Sequence, residues 1–172
     1  KTESKRLFFV IDISSSMLQD IRFQTADGAW HTERRIDLAK EELIRCLKTL
    51  DENTDFGILA FEAILTPFKP SLTRATAGGV DEAVKWVQSL TPPPNVGTLT
   101  TTEEGYTRGE TNSFAALKWI YGQSGKEVTQ VLTSGGTPKI RTKPVADTIF
   151  FLSDGEPSCG EMTIVDDIIE KV

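Results

Sequence analysis

The chain has 172 residues, 38% of them hydrophobic and 26% charged, which fits one globular domain with an adequate core and excludes wholesale disorder. A formal net charge of −6 and a pI near 4.9, with no basic stripe to offset the acid excess, argue against a nucleic-acid surface and favour a cation or a basic partner. No apolar run approaches the ~18 residues of a membrane span, so direct membrane insertion is not expected.

The charged start KTESKR leads into Leu7–Ile11, five unbroken apolar residues rich in β-branched and aromatic types. Such a run reads as a strand buried on both faces, as in a parallel sheet covered by helices on either side. It ends in Asp12-Ile13-Ser14-Ser15-Ser16. Ligands of open α/β sheets sit at the carboxyl ends of strands, and alternate residues leaving a strand aim the same way. Asp12, Ser14 and Ser16 therefore make a candidate set of hard oxygen ligands, suited to Mg²⁺, Mn²⁺ or Ca²⁺. A polar turn in which Asp12 caps a following helix explains the same stretch, and both readings stay open at this point.

Leu18–Glu33 reads as a small hairpin turning at Ala26-Asp27-Gly28, on the rim of that site. His31, the one histidine, is expected on its surface, and Trp30 reads as a binding anchor or, preferably, as a residue that pins the hairpin down. Arg34–Leu50 carries apolar residues at 36, 39, 43, 47 and 50, the spacing of an amphipathic helix packed on the sheet, with Cys46 beside its apolar face. Asp55–Phe61 is a second buried strand. Ala63–Phe68 is a short edge strand, confined there by Pro67 and Pro70.

A second helix is expected over Thr73–Leu90, stopped by Pro92-Pro93-Pro94. Asn95–Arg108 is polar and aperiodic, a long loop. Gly109-Glu110-Thr111-Asn112 then leads into a short helix, Ser113–Tyr121, which puts Thr111 at a helix start, where capping by its hydroxyl is the plain alternative to a ligand role. Gly125-Lys126 lacks the flanking residues of a P-loop. Gln123–Val145 is irregular, with VTQVL and KIRTK as possible short strands. Asp147–Leu152 is a third buried strand, delivering Asp154 in Ser153-Asp154-Gly155, and Asp166–Val172 opens a helix. Cys46 and Cys159 form neither a CxxC pair nor a disulfide framework.

Three segments thus each place oxygen ligands on one edge: DISSS at 12–16, GETN at 109–112 and SDG at 153–155. In this order they resemble the von Willebrand factor type A (VWA, integrin I-like) family and its metal-ion-dependent adhesion site (MIDAS). Ser15 and Glu110 stand where that family often has glycine. The resemblance implies a doubly wound, mostly parallel α/β sheet with helices on both faces, spanning residues 1–172 as a single domain. It implies a metal site in which Ser14 and Ser16 bind Mg²⁺ or Mn²⁺ directly, ahead of Ca²⁺, while Asp12, Thr111 and Asp154 bind directly or through water.

Two carboxylates and neutral hydroxyls leave such an ion able to attract one more anionic oxygen, so the expected function is metal-dependent docking of a partner protein's Asp or Glu, in adhesion or assembly. No catalysis is expected. The rival readings are a metal-assisted hydrolase with Glu110 or Glu156 as base, and a structural module of a larger multidomain assembly. A haloacid-dehalogenase-like phosphatase would need a second aspartate where Ser14 stands. Leu18–Glu33, Pro92–Arg108 and Gln123–Val145 look like insertions that select the partner. The lack of an initiating Met and the early stop relative to the family lead to the expectation of a domain excised from a larger protein and missing C-terminal strands. On that expectation strand 147–152 keeps an unpaired apolar edge and the 172-residue piece is less stable than an extended one.

Overall fold

The computed structural model describes residues 5–94, 102, 105–121, 146–155 and 157–159. Its centre is β1 (Arg6–Asp12), which pairs in parallel with β4 (Asp55–Phe61) on one side and β7 (Thr148–Leu152) on the other. β5 (Leu65–Pro67) and β6 (Thr73–Arg74) lie antiparallel along the far edge of β4, one at each end of it, giving the order β5-β4-β1-β7 with β6 beside β4. The architecture is α/β with a mixed, mostly parallel sheet.

Because successive side chains of a strand point to opposite faces, the apolar run of β1 supplies two cores at once. Phe9, Ile11 and Ile13 join Phe56, Ile58 and Ala60 beneath α1 (Arg35–Lys48) and α2 (Ala77–Ser89), which contribute Ile36, Leu43, Leu47, Ala83, Val84 and Val87. Phe8 and Val10 join Leu59, Phe61 and Leu65 on the other face, where α3 (Ser113–Ile120) adds Ala115, Ala116 and Ile120. Helices on both faces, as expected, make the sheet doubly wound. Gly57 pairs with Phe8, and a Cβ there would sit 2.3 Å from the Phe8 ring, so the strand needs glycine at that point.

The hairpin forms as read, β2 (Asp20–Gln24) against β3 (Trp30–Arg34), a separate two-stranded ribbon whose last residue leads into α1. His31 is exposed and stacks on Phe23 with ring centroids 5.8 Å apart. Trp30 is 58% exposed, and its ring makes a contact within the hairpin, to the Arg22 guanidinium 4.5 Å over it on the facing strand. The second helix begins later than its periodicity suggests. Thr73 and Arg74 pair with β4, and the Thr76 side chain accepts from Gly79 N at 3.2 Å as the cap of α2. β7 is a strand, but not a buried one: Phe150 is 45% and Phe151 39% exposed. Only β1 pairs with it among the described residues. Most of 95–108, all of 122–145, Glu156 and 160–172 lie outside the described residues, and with them the two possible short strands and the C-terminal helix. Among the described residues no helix is long and apolar enough to cross a membrane.

Candidate metal centre

β1 and β4 are joined through α1 on one face, whereas β7 lies on the opposite side of β1, so the strand order reverses at β1. The carboxyl end of that strand is where a doubly wound sheet opens a crevice. The register sets what meets there. Asp12 is level with Phe61, and Ile11 with Leu152, so the residue after β7, Ser153, comes up beside Asp12. Ser153 Oγ donates to Asp12 Oδ2 at 2.6 Å, and Ser14 N donates to Asp12 Oδ1 at 2.7 Å. The second bond turns the chain out of the strand into a 3₁₀ turn, Ser15–Leu18. Asp12 thus closes a local turn at Ser14 and makes no helix-capping bond to that turn.

Beyond it the side chains form a line. Ser14 Oγ lies 3.0 Å from Ser16 Oγ, and Ser16 Oγ donates to Asp154 Oδ1 at 3.0 Å. Arg35, the first residue of α1, sends Nη1 to Asp154 Oδ2 and to Gln19 Oε1, the latter at 3.1 Å. Asp12 and Ser14 are fully buried and do not line the open depression of about 550 Å³ beside them, which Ser15, Ser16, Arg35, Glu110, Thr111 and Asp154 line.

Thr111 reaches that depression on a segment fastened at both ends. Glu62, which directly follows β4 and is 1% exposed, accepts from Gly109 N at 2.5 Å and from Ala63 N at 3.1 Å, and pairs with the Arg108 guanidinium. Gly109 has φ +88°, a conformation open to glycine at little cost, and its carbonyl accepts from Ser15 N at 2.9 Å. On the far side Thr111 N donates to Ser158 Oγ at 2.8 Å while Ser158 N donates back to Thr111 O at 2.9 Å. The cap of α3 is Asn112, whose side chain accepts from Ala115 N at 3.1 Å, so the Thr111 hydroxyl is not spent on capping.

Of the five candidates, then, Asp12, Ser14, Ser16 and Asp154 meet in one run of hydrogen bonds, and Thr111 shares the depression with Ser16 and Asp154. Glu110 lines it too, but its Oε2 accepts from Thr107 N at 2.9 Å. Reading the sequence missed Glu62, Arg35, Ser153 and Ser158 as organisers. Glu62 had a signal, an acid placed directly after the apolar run FGILAF, in the manner of Asp12. Arg35 had none, since a basic residue on an amphipathic helix reads as solvated.

The electrostatics are unbalanced. Burial pushes the Asp12 carboxyl above its ordinary pKa; the Ser153 and Ser14 hydrogen bonds pull it back, and the nearby charge of Asp154 pushes it up again. Among the described residues no ion pair reaches Asp12, although a buried carboxylate is costly without one. Two carboxylates and three hydroxyls fit a hard divalent cation, whose charge would offset that cost. Among the described residues no three or more His, Cys, Asp or Glu gather, so a histidine- or thiolate-rich centre is not formed there.

No protein-family model matches the chain, and no curated protein matches it. Solved structures similar to it include the conserved hypothetical protein BatB from Bacteroides thetaiotaomicron, at 16% identity and a TM-score of 0.41 over 76% of this chain and 47% of that one. An aerotolerance-related membrane protein from Bacteroides fragilis matches at 15% identity and a TM-score of 0.43, over 78% and 50%. An uncharacterized membrane spanning protein from Vibrio fischeri matches at 17% and 0.43, over 55% and 41%. The chain spans half or less of each of these structures, and values this low assign it neither a family nor a function.

Proposed function

We propose that the domain is a VWA-like binding module whose Asp12, Ser14, Ser16, Thr111 and Asp154 hold Mg²⁺ or Mn²⁺, and that a partner protein docks there through an Asp or Glu side chain. The observation that carries the reading is Asp12, fully buried at the switch point of the sheet with hydrogen bonds from Ser153 and Ser14 but no ionic partner among the described residues, at one end of a run of oxygen donors leading to a second carboxylate. When bound, the ion supplies a Lewis-acidic position that an external carboxylate can occupy.

The residues around the ligands do the remaining work. Ser153 and the Ser14 amide fix the Asp12 carboxylate in place. Glu62, Arg108 and Ser158 fix the segment that carries Thr111. The open depression leaves room for an incoming side chain above Ser16 and Asp154. A hydrolytic reading draws less support, because Glu110 is tied to Thr107 N within its own turn and is poorly placed to act as a base.

Calorimetric titration with Mg²⁺ and Mn²⁺ tests the site. The parent chain should bind one ion, and Asp12→Ala and Asp154→Ala should each lose binding while keeping the parent's circular dichroism. An Asp12→Ala protein that binds as tightly as the parent would remove the basis of the proposal.

A further inference from the structure

Of the two carboxylates in the proposed centre, Asp12 lacks a cation and Asp154 has one. The Arg35 guanidinium pairs with Asp154 Oδ2 while Oδ1 accepts from Ser16, so both oxygens of this carboxylate are engaged. The pair is well enclosed, with the Asp154 side chain 10% and the Arg35 side chain 33% exposed. Arg35 also occupies an unusual place. As the first residue of α1 it sits at the positive end of the helix dipole, where a basic side chain is disfavoured and an acidic one is preferred. The neighbouring Arg34 meets Asp37 in the same turn at 2.7 Å, whereas Arg35 turns towards the site, reaching Gln19 Oε1 and lying 3.5 Å from Ser16 O.

From this we infer that Arg35 is a built-in counter-cation, which Asp154 exchanges for the divalent ion when the centre is loaded. The inference rests on the reading of Asp12, Ser14, Ser16, Thr111 and Asp154 as a cation site. Its physical ground is that Asp154 Oδ1 and the Ser16 hydroxyl, both proposed ligand atoms, adjoin a carboxylate oxygen already held by a guanidinium. A divalent charge placed there stands within a few ångströms of the guanidinium in a partly desolvated setting, where like charges repel strongly. Arg35 therefore gives up Asp154 on loading and lowers the affinity for the ion, so that half-filling the site takes a higher concentration of it than the oxygen donors alone would require. An arginine whose role is to hold the site in shape has the opposite effect, since its removal weakens metal binding.

The test is calorimetric titration of Mg²⁺ into the full 172-residue chain and its Arg35→Gln variant at low ionic strength. Arg35→Gln should bind about tenfold or more tightly than the parent, with the difference shrinking as salt is raised. Equal or weaker binding by Arg35→Gln, with the parent still binding, overturns the exchange and leaves the metal centre intact. Absence of binding by both proteins overturns the centre and the exchange with it. An independent readout on the parent avoids any folding defect of the variant. The Arg35 Nε–Hε resonance, assigned by its loss in Arg35→Lys, should move during the Mg²⁺ titration with the calorimetric midpoint, and an unmoved resonance at saturation overturns the inference.

Discussion

β4 and β7 flank β1 on opposite sides, both parallel to it and both built from nearly continuous apolar residues, yet they live in different surroundings. In β4, Phe56, Ile58, Leu59, Ala60 and Phe61 are each 1% exposed or less, because β1 lines one edge, β5 and β6 the other, and helices cover both faces. In β7, Phe150 stacks on Phe9 and Phe151 tilts against Phe61, but both rings stay well exposed. An apolar run marks a strand that belongs in a sheet. How deeply it is buried depends on neighbours remote in sequence, which no local pattern encodes.

The contrast can be broken by mutation. Leu59→Ala, at a site with no exposed surface, should destabilise by ~2–5 kcal/mol in urea denaturation. Phe151→Ala should cost ~1 kcal/mol, since much of its ring is already in contact with solvent. Equal losses at the two positions would mean that β7 is covered in solution as fully as β4.

A smaller effect sharpens the same comparison at the start of β7. Asp147 is clamped to Arg6, accepting from its Nη2 at 2.6 Å and its backbone N at 3.0 Å, and this side-chain pairing holds the carboxyl below its ordinary pKa. A lowered folded-state pKa means stability that is present above the unfolded value and lost as pH falls through the folded one. The parent should therefore be slightly more stable than Asp147→Asn at neutral pH, and the two should converge in acid. Because the pair is exposed, added salt should shrink the difference as well. A gap between the two proteins that is independent of pH would show that the Asp147 carboxylate charge is not its source.

Much of this fold can be read from residue order. β1, β4 and α1 have strong periods, and their spans in the structure match the pattern to within a residue or two. The hairpin and the edge strand are legible from turn residues and proline, which act locally. The carboxylates at the ends of β1 and β7 are legible for the same reason: an abrupt change from apolar to acidic marks a strand end. What stayed hidden was decided by tertiary contact. The Thr73–Leu90 period hides a two-residue bridge to β4, because Thr73 and Arg74 pair with a strand far back in the chain. That Asn112 and not Thr111 caps α3 is not encoded in the local pattern, in which both are capping residue types, and the anchor of Thr111, Ser158, lies 47 residues away. Glu62 stands out in sequence as an acid after an apolar run, but what it holds, Gly109 and Arg108, is set by tertiary contact, and Arg35 reveals its role only when Asp154 comes beside it.

A cation held at the carboxyl end of β1 is tested most directly by an anomalous difference map from crystals of the domain grown with Mn²⁺. One strong peak is predicted, bounded by the side-chain oxygens of Asp12, Ser14, Ser16, Thr111 and Asp154, with the Arg35 guanidinium withdrawn from Asp154. A map in which Mn²⁺ lies elsewhere, or in which Arg35 still holds Asp154 and no peak adjoins Ser14 and Ser16 at saturating metal, would contradict it.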